Sequence, residues 1–314
     1  MPGLLRHGKE MMRSLFLLVN SSCDIACKYC FYTTGYEKRV PHRILAQYAP
    51  FVAQRIADVG FDTVILTGGD PFQSRLKHET YQLIRELKKH GRRVIVNTSA
   101  ALLEERDLDT IVSLTVDRVD ISIDSYDPEI HNQQRGCHQD AVNAIIGLLS
   151  RGFKKVATTT VVTSLNAPTL QQTIEWLRSL GVTDIRIQRA FIPTHEHSGD
   201  DVVTQSIVEA RQLLTAPHTS DYIGLSTQGQ SKNVLPQHAI CAMGKTYFVS
   251  TAQGVLTPCF HRSDMVLGNL FRDDPNMLCQ ALSGHELAII RHPSCFGSHC
   301  ISLFDNPRFW ESQP

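Results

Sequence analysis

The sequence lacks an excess of charge of either sign. Lys and Arg number 31, Asp and Glu number 31, and the formal net charge is zero. A dedicated nucleic-acid binder shows a basic surplus, so no nucleic-acid partner is expected. The densest basic stretch, Lys88-Lys89-His90-Gly91-Arg92-Arg93, reads as a solvated helix end. Long apolar runs are missing too. In the N-terminal stretch MPGLLRHGKEMMRSLFLLVN the apolar run covers little more than Leu15–Val19, too short for a signal peptide or a membrane span. No membrane partner is expected, and the expected location is the cytoplasm, where thiols stay reduced. Beyond a strand–helix alternation there is no internal repeat, and there is no low-complexity segment.

A chain of 314 residues buries a large core and needs neither disulfides nor metal merely to fold. Its nine cysteines therefore require another reason. Three lie at 23, 27 and 30, Cys137 stands alone as a plain thiol, and the remaining five fall between Cys241 and Cys300. The two groups point to metal chemistry.

The first two-thirds alternates strand candidates (Leu15–Asn20, Thr63–Thr67, Arg93–Thr98, Arg118–Asp124, Val156–Thr163, Asp184–Arg189) with amphipathic helix candidates. The helices are expected over His42–Val59, Glu79–His90, Glu104–Leu114, Gln139–Arg151 and Leu170–Leu180, several ending at Gly60, Gly91, Gly152 or Gly181. Six β/α units imply an α/β fold, a parallel sheet curled into a barrel or partial barrel, with function at the C-terminal strand ends. Asp201–Leu214 reads as one more helix. The domain reading is a barrel over 12–214, a polar linker over 215–240, and a small cysteine-rich unit over 241–314 that opens with the short strands TYFVST and GVLTPCF.

Cys23, Cys27 and Cys30 follow the first strand. The spacing Cys-x3-Cys-x2-Cys lets one tight loop wrap three corners of a [4Fe–4S] cube and leaves one iron open. A zinc knuckle that borrows a fourth ligand is the alternative. With Tyr29 before the last cysteine, this motif resembles the signature of the radical S-adenosylmethionine (SAM) enzymes. Gly68-Gly69-Asp70-Pro71 after the second strand resembles the family's Gly-Gly-Glu-Pro loop, with Asp for Glu, and implies contact with the SAM amino group through backbone carbonyls. DISIDSYDPEIHNQQRG resembles the family's Ser-x-Asp segment followed by Arg-Gly. It implies Ser122 and Asp124 as a ribose-facing pair, while Asn97, Ser99 and Asp127 read as caps. Arg189 is placed to pair with the SAM carboxylate or to make a plain ion pair.

The resemblance covers about residues 12–190. It implies SAM, the SAM-binding [4Fe–4S] cluster, an electron donor such as flavodoxin or ferredoxin, and a 5′-deoxyadenosyl radical that takes hydrogen from an unactivated C–H bond.

Cys241-x12-Gly254-x4-Cys259 resembles the SPASM and twitch extensions, which hold auxiliary [4Fe–4S] clusters. One auxiliary cluster on Cys241, Cys259, Cys295 and Cys300 leaves Cys279 spare; if Cys279 is a ligand, Cys259 becomes the spare. Zinc is again the alternative. A spare thiol is either incidental or a hydrogen-atom donor, and abstraction on one face with return on the other is epimerisation. Only a short segment precedes the first strand, so no N-terminal peptide-binding domain is expected, and the compact plan resembles twitch enzymes of aminoglycoside biosynthesis. Glu196, Asp200 and Asp201 would suit a polyamine-like substrate, or simply form a polar loop. The expected activity is epimerisation of a sugar or aminoglycoside. The alternatives are dehydrogenation of an aminocyclitol alcohol, peptide maturation with a separate recognition partner, and a non-catalytic metal-binding module.

Overall fold

A computed structural model describes residues 12–30, 33, 41–190, 200–214, 244, 246–260 and 263–283. Cys241, Cys295, Cys300 and Glu196, and the expected linker, lie outside the described residues.

Six strands rich in Val, Ile, Leu and Thr run parallel: β1 (Ser14–Asn20), β2 (Thr63–Gly68), β3 (Arg93–Thr98), β4 (Arg118–Ser122), β5 (Val156–Val162) and β6 (Asp184–Arg189). They stand side by side in chain order. Parallel neighbours need long crossovers, and helices supply them. These are α1 (Ala49–Val59), α2 (Lys77–Lys89), α3 (Glu105–Ser113), α4 (Pro128–Gln134), α5 (His138–Ser150) and α6 (Leu170–Ser179), with α7 (Asp200–Leu214) following β6. The α/β barrel-type sheet expected from the alternation is therefore the one observed. Every parallel strand ends on the same edge, so the loops after β1 to β5 are gathered there.

The two sheet faces separate by strict alternation. Leu15, Leu17 and Val19 of β1, Val64 and Leu66 of β2, and Val119 and Ile121 of β4 join one core with the apolar stripes of α1, α2, α3, α5 and α6. Phe16 and Leu18 belong to a separate small cluster, and Asp120 and Ser122 alternate with Val119 and Ile121. A one-residue slip in β4 would bury Asp120 under the helices, which fixes the register.

The described part of the third segment continues this sheet. Strand β7 (Tyr247–Ser250) pairs parallel with β1, Ser14 opposite Tyr247, and the antiparallel strands β8 (Val255–Thr257) and β9 (Gly268–Asn269) follow. Helix α8 (Pro275–Ser283) sends Leu278 and Leu282 into the same core as β1. The boundary drawn between barrel and C-terminal unit is thus crossed by one sheet and one core.

Candidate active site

The loop after β1 carries Cys23, Cys27 and Cys30, and its two sides are held by different elements. On one side it lies against the loop after β2. Gly69 N–H donates to Asn20 O at 2.8 Å, and Asp70 N–H donates to Ser22 O at 2.7 Å. The Asn20 side chain returns a bond to Asp70 O at 2.8 Å. Asp24 accepts from Ser74 N, Ser74 Oγ and Gln73 Nε2 at 2.7, 2.8 and 2.8 Å. The approach is so close that a Cβ on Gly68 would lie 2.3 Å from Asn20 O, and one on Gly69 2.1 Å from Ser22 O. The paired glycines are there because backbone meets backbone.

Asp70 is buried, and its carboxylate is fully engaged with the end of β3. It accepts from Thr98 Oγ1, Ser99 N, Ser99 Oγ and Phe72 N at 2.8, 2.8, 2.5 and 2.9 Å. Burial pushes its pKa up, and these donors pull it part of the way back. The side chain is an anchor between loops, and Ser99, expected as a cap, is one of the groups that anchor it. Asp127 does cap α4, accepting from the N–H groups of Glu129 and Ile130. Asn97, on β3, keeps its Oδ1 buried with no hydrogen-bond partner among the described residues.

The other side of the cysteine loop rests on α4. Lys28 N–H donates to Gln134 O at 2.8 Å, and Thr163 Oγ1 holds the Gln134 side chain at 2.7 Å. Beside it the Tyr29 hydroxyl donates to Asp124. Asp124 also accepts from Arg135 Nε at 3.0 Å, Arg135 Nη2 at 3.3 Å and Val161 N at 2.9 Å. The Arg135 guanidinium sits 5.4 Å from the centre of the Tyr29 ring. Side-chain exposure is 9% for Arg135 and 0% for Asp124, so this is a buried ion pair, and the carboxylate is further satisfied by Tyr29 and Val161. Burial opposes the Arg135 charge, but Asp124 and Tyr29 more than offset it and hold the pKa well above the ordinary value. Burial likewise pushes Tyr29 far up, and it raises Cys27, with Arg135 opposing that rise.

The Asp124 carboxylate, expected to face the ribose, bonds Tyr29, Arg135 and Val161 of β5 in this structure. Arg135 is the functional residue that sequence reasoning missed, and the Arg-Gly pair at 135–136 is the one signal that pointed to it. Ser122 is half-buried on the face of β4 away from the helices, level with Thr159 of β5. Arg189 is the last residue of β6, opposite Val162. Along that same face Arg118 and Asp120 of β4 meet Asp184 and Arg186 of β6. Arg118 Nε and Arg186 Nη1 lie 2.7 and 2.8 Å from Asp120, and Arg186 Nη2 lies 3.4 Å from Asp184.

The two candidate donor thiols lie on opposite faces of the sheet. Cys279 Sγ, on α8, donates to Val59 O of α1 at 2.9 Å, within the helical layer. Cys259 is buried on the face away from the described helices, packed with Val249, Phe16 and Leu18.

No disulfide joins Cys23, Cys27, Cys30, Cys137, Cys259 or Cys279. Among the described residues no three His, Cys, Asp or Glu side chains are already gathered as a metal site. The donor chemistry nonetheless fits an iron–sulfur cluster: three thiols on one short loop, with a buried guanidinium whose charge favours thiolate at Cys27. Among the described residues no helix is long and apolar enough to cross a membrane.

Comparison with known proteins agrees with this geometry. An AdoMet-dependent heme synthase of Oleidesulfovibrio alaskensis is 28% identical over 184 residues, 58% of this chain and 46% of its own length. A second heme synthase is matched over 36% of its length, so the chain spans less than half of either. A probable GTP 3′,8-cyclase of Methanocaldococcus jannaschii is 21% identical over 82% of this chain and 88% of its own. Among solved structures, native anSMEcpe with bound AdoMet superposes with a TM-score of 0.66 at 18% identity, covering 84% of this chain and 79% of that one. SuiB of Streptococcus suis bound to S-adenosylmethionine gives 0.67 at 13% identity, covering 90% and 68%. A family model for the Radical SAM superfamily matches residues 17–177, just over half of the chain. The cysteine loop, the glycine pair that lets it close on β2 and the parallel sheet beneath it are therefore those of a member of the radical SAM superfamily.

Proposed function

We propose that this radical SAM enzyme abstracts a hydrogen atom from a polar small molecule of the sugar or aminoglycoside type and epimerises the carbon, with Cys259 returning the hydrogen. The carrying observation is the make-up of the sheet face away from the described helices. It presents Ser122, Asp120, Asp184 and Arg186 along β4 and β6, and Cys259, two residues past β8, packed with Val249 of β7 and Phe16 and Leu18 of β1. A hydroxyl- and amine-bearing substrate matches a wall of hydroxyl and charged side chains, which offers it both donors and acceptors.

When bound, SAM and the cluster supply the radical that removes the substrate hydrogen. Cys23, Cys27 and Cys30 would hold the cluster, and the loop after β2 would border SAM. The return step breaks the Cys259 S–H bond and forms a C–H bond on the opposite face of the carbon. The resulting thiyl takes up one electron and one proton to become the thiol again, the electron from a flavodoxin- or ferredoxin-type donor. Cys279, bonded to Val59 O within the helical layer, has no part in this step. The relatives' named reactions, on heme and on GTP, come to this chain only as radical chemistry at carbon.

The test is anaerobic turnover in heavy water with a panel of aminoglycosides. Epimerisation predicts 5′-deoxyadenosine, a product of unchanged formula with a single carbon-bound deuterium, and loss of that product in Cys259→Ala. A product lacking two hydrogens would overturn epimerisation in favour of dehydrogenation, with Cys259 as an auxiliary-cluster ligand alongside Cys241, Cys295 and Cys300.

A further inference from the structure

The polar core behind the cysteine loop contains a buried cation that the hydrogen-abstraction chemistry does not itself require. We propose that Arg135 is a positioning residue that sets the reduction potential of the cluster, acting from a clamp in which Asp124 holds both its guanidinium and the Tyr29 hydroxyl. The inference rests on the radical SAM cluster and is independent of the substrate.

Three observations carry it. First, two consecutive residues at the end of α4 grip the loop by different means. Gln134 takes the Lys28 N–H on its carbonyl, and Arg135 lies against the Tyr29 ring while bonding Asp124. Lys28 and Tyr29 are the two residues between Cys27 and Cys30, so the segment joining two cluster ligands is tied at both of its positions. Second, Asp124 has no capacity left for a ligand. Tyr29 Oη, two guanidinium nitrogens and Val161 N–H fill it, and its own backbone is fixed by His131 Nδ1 and Asn166 Nδ2 at 3.1 and 2.6 Å. The clamp is therefore rigid on the β4 side, and the loop is what it positions. Third, the cation is dry and beside the ligands: the Arg135 side chain is 9% exposed, and its guanidinium lies 5.4 Å from the centre of the ring of Tyr29, the residue before Cys30.

The consequence follows from electrostatics. Reduction adds one electron to the cluster, and a fixed positive charge nearby in a dry environment favours the reduced state. Removing Arg135 makes the cluster harder to reduce; removing the charge of Asp124 makes it easier. A scaffold role alone cannot give opposite signs, because either change breaks the same ion pair.

The experiment is an EPR-monitored redox titration of the anaerobically reconstituted full chain without substrate, with iron content measured alongside. Arg135→Gln is expected to shift the midpoint to lower potential and Asp124→Asn to higher potential. Arg135→Lys, which keeps the charge, is expected to stay close to the parent, and Tyr29→Phe to lower iron content with a smaller shift. Shifts of the same sign in Arg135→Gln and Asp124→Asn, or no shift in either at full iron content, would overturn the proposal. If Arg135→Gln and Asp124→Asn load too little iron to titrate, Arg135→Lys decides. Full loading at the parental potential supports the proposal, and failure to load despite the retained charge overturns it. Absence of any reducible cluster in the parent protein would instead count against the cluster itself.

Discussion

Gly69→Ala tests the central geometric statement, that the cysteine loop is seated by backbone contact with the loop after β2. The added Cβ would lie 2.1 Å from Ser22 O, whereas real Cβ atoms keep at least 3.0 Å from such a neighbour. Neither party is a flexible side chain. The two loops must therefore part by roughly 1 Å, a shift of the size that overpacking forces on a dense interior, at a cost of ~1–3 kcal/mol. Ser22 adjoins Cys23, and the bonds Gly69 N to Asn20 O and Asp70 N to Ser22 O, 2.8 and 2.7 Å, run through the same contact. The expected result is a lower Tm in the apo protein together with reduced iron and a broadened EPR signal after reconstitution. Gly152→Ala is the control. It has nothing within 4 Å but a φ of +75°, so it carries backbone strain alone, ~1–2 kcal/mol. It should lower Tm and leave iron content unchanged. If Gly69→Ala loads iron as fully as Gly152→Ala at equal destabilisation, the contact does not seat the loop and the reasoning fails.

Three further outcomes follow from named groups. Asp70→Asn places an amide nitrogen among the four donors of Thr98, Ser99 and Phe72, and is expected to cost about 2–3 kcal/mol in urea unfolding; a loss below that range would mean Asp70 is not an anchor. His131 accepts from Asp124 N–H on Nδ1 and meets Gly136 O through Nε2, and burial pulls its pKa down from 6.5 to about 4. Below pH 6.5 the unfolded chain binds a proton there that the folded chain refuses, so stability falls as pH drops from about 6.5 to about 4. The contribution between pH 7 and pH 5 is about 2 kcal/mol, and His131→Gln should flatten urea-derived stability by that amount across the interval. Cys279→Ser should leave the product and its deuterium content unaltered, since the thiol lies against Val59 O on the far face of the sheet; loss of deuterium incorporation in that variant would return the donor role to Cys279.

Much of this was legible because the signals are local. The six strands start within a residue of where β-branched and aliphatic runs predict them, and Gly60 does end α1, in the left-handed conformation at φ +84°. Helix α4 escaped the periodicity reading because Pro128–Gln134 spans under two turns and has no apolar stripe; only Asp127 before Pro128 marks it. The contacts of Asp124 were not legible. Tyr29 stands 95 residues before it, Arg135 11 and Val161 37 after it, and it lies past the last residue of β4, where alternation no longer dictates direction. Cys259 and Cys279 are interchangeable as letters, and only the pairing of β7 and β8 and the packing of α8 on α1 place them on opposite faces.

The way the loop is held also separates folding from metal binding. Its named bonds run through backbone groups and through the side chains of Asn20, Asp24 and Tyr29, with the β2 loop on one side and α4 on the other. None of these is a thiol bond, so replacing a thiol should spare the bracket. This differs from a small metallo-domain, in which metal binding is the folding free energy and the apo form is unfolded. Here a large apolar core carries stability, and the cluster adds only its linkage to a loop already seated. Cys27→Ser should therefore lose iron while keeping far-UV circular dichroism and a Tm close to that of the apo parent. A collapse of the apo fold in that variant would mean that the thiol, not the bracket, holds the loop.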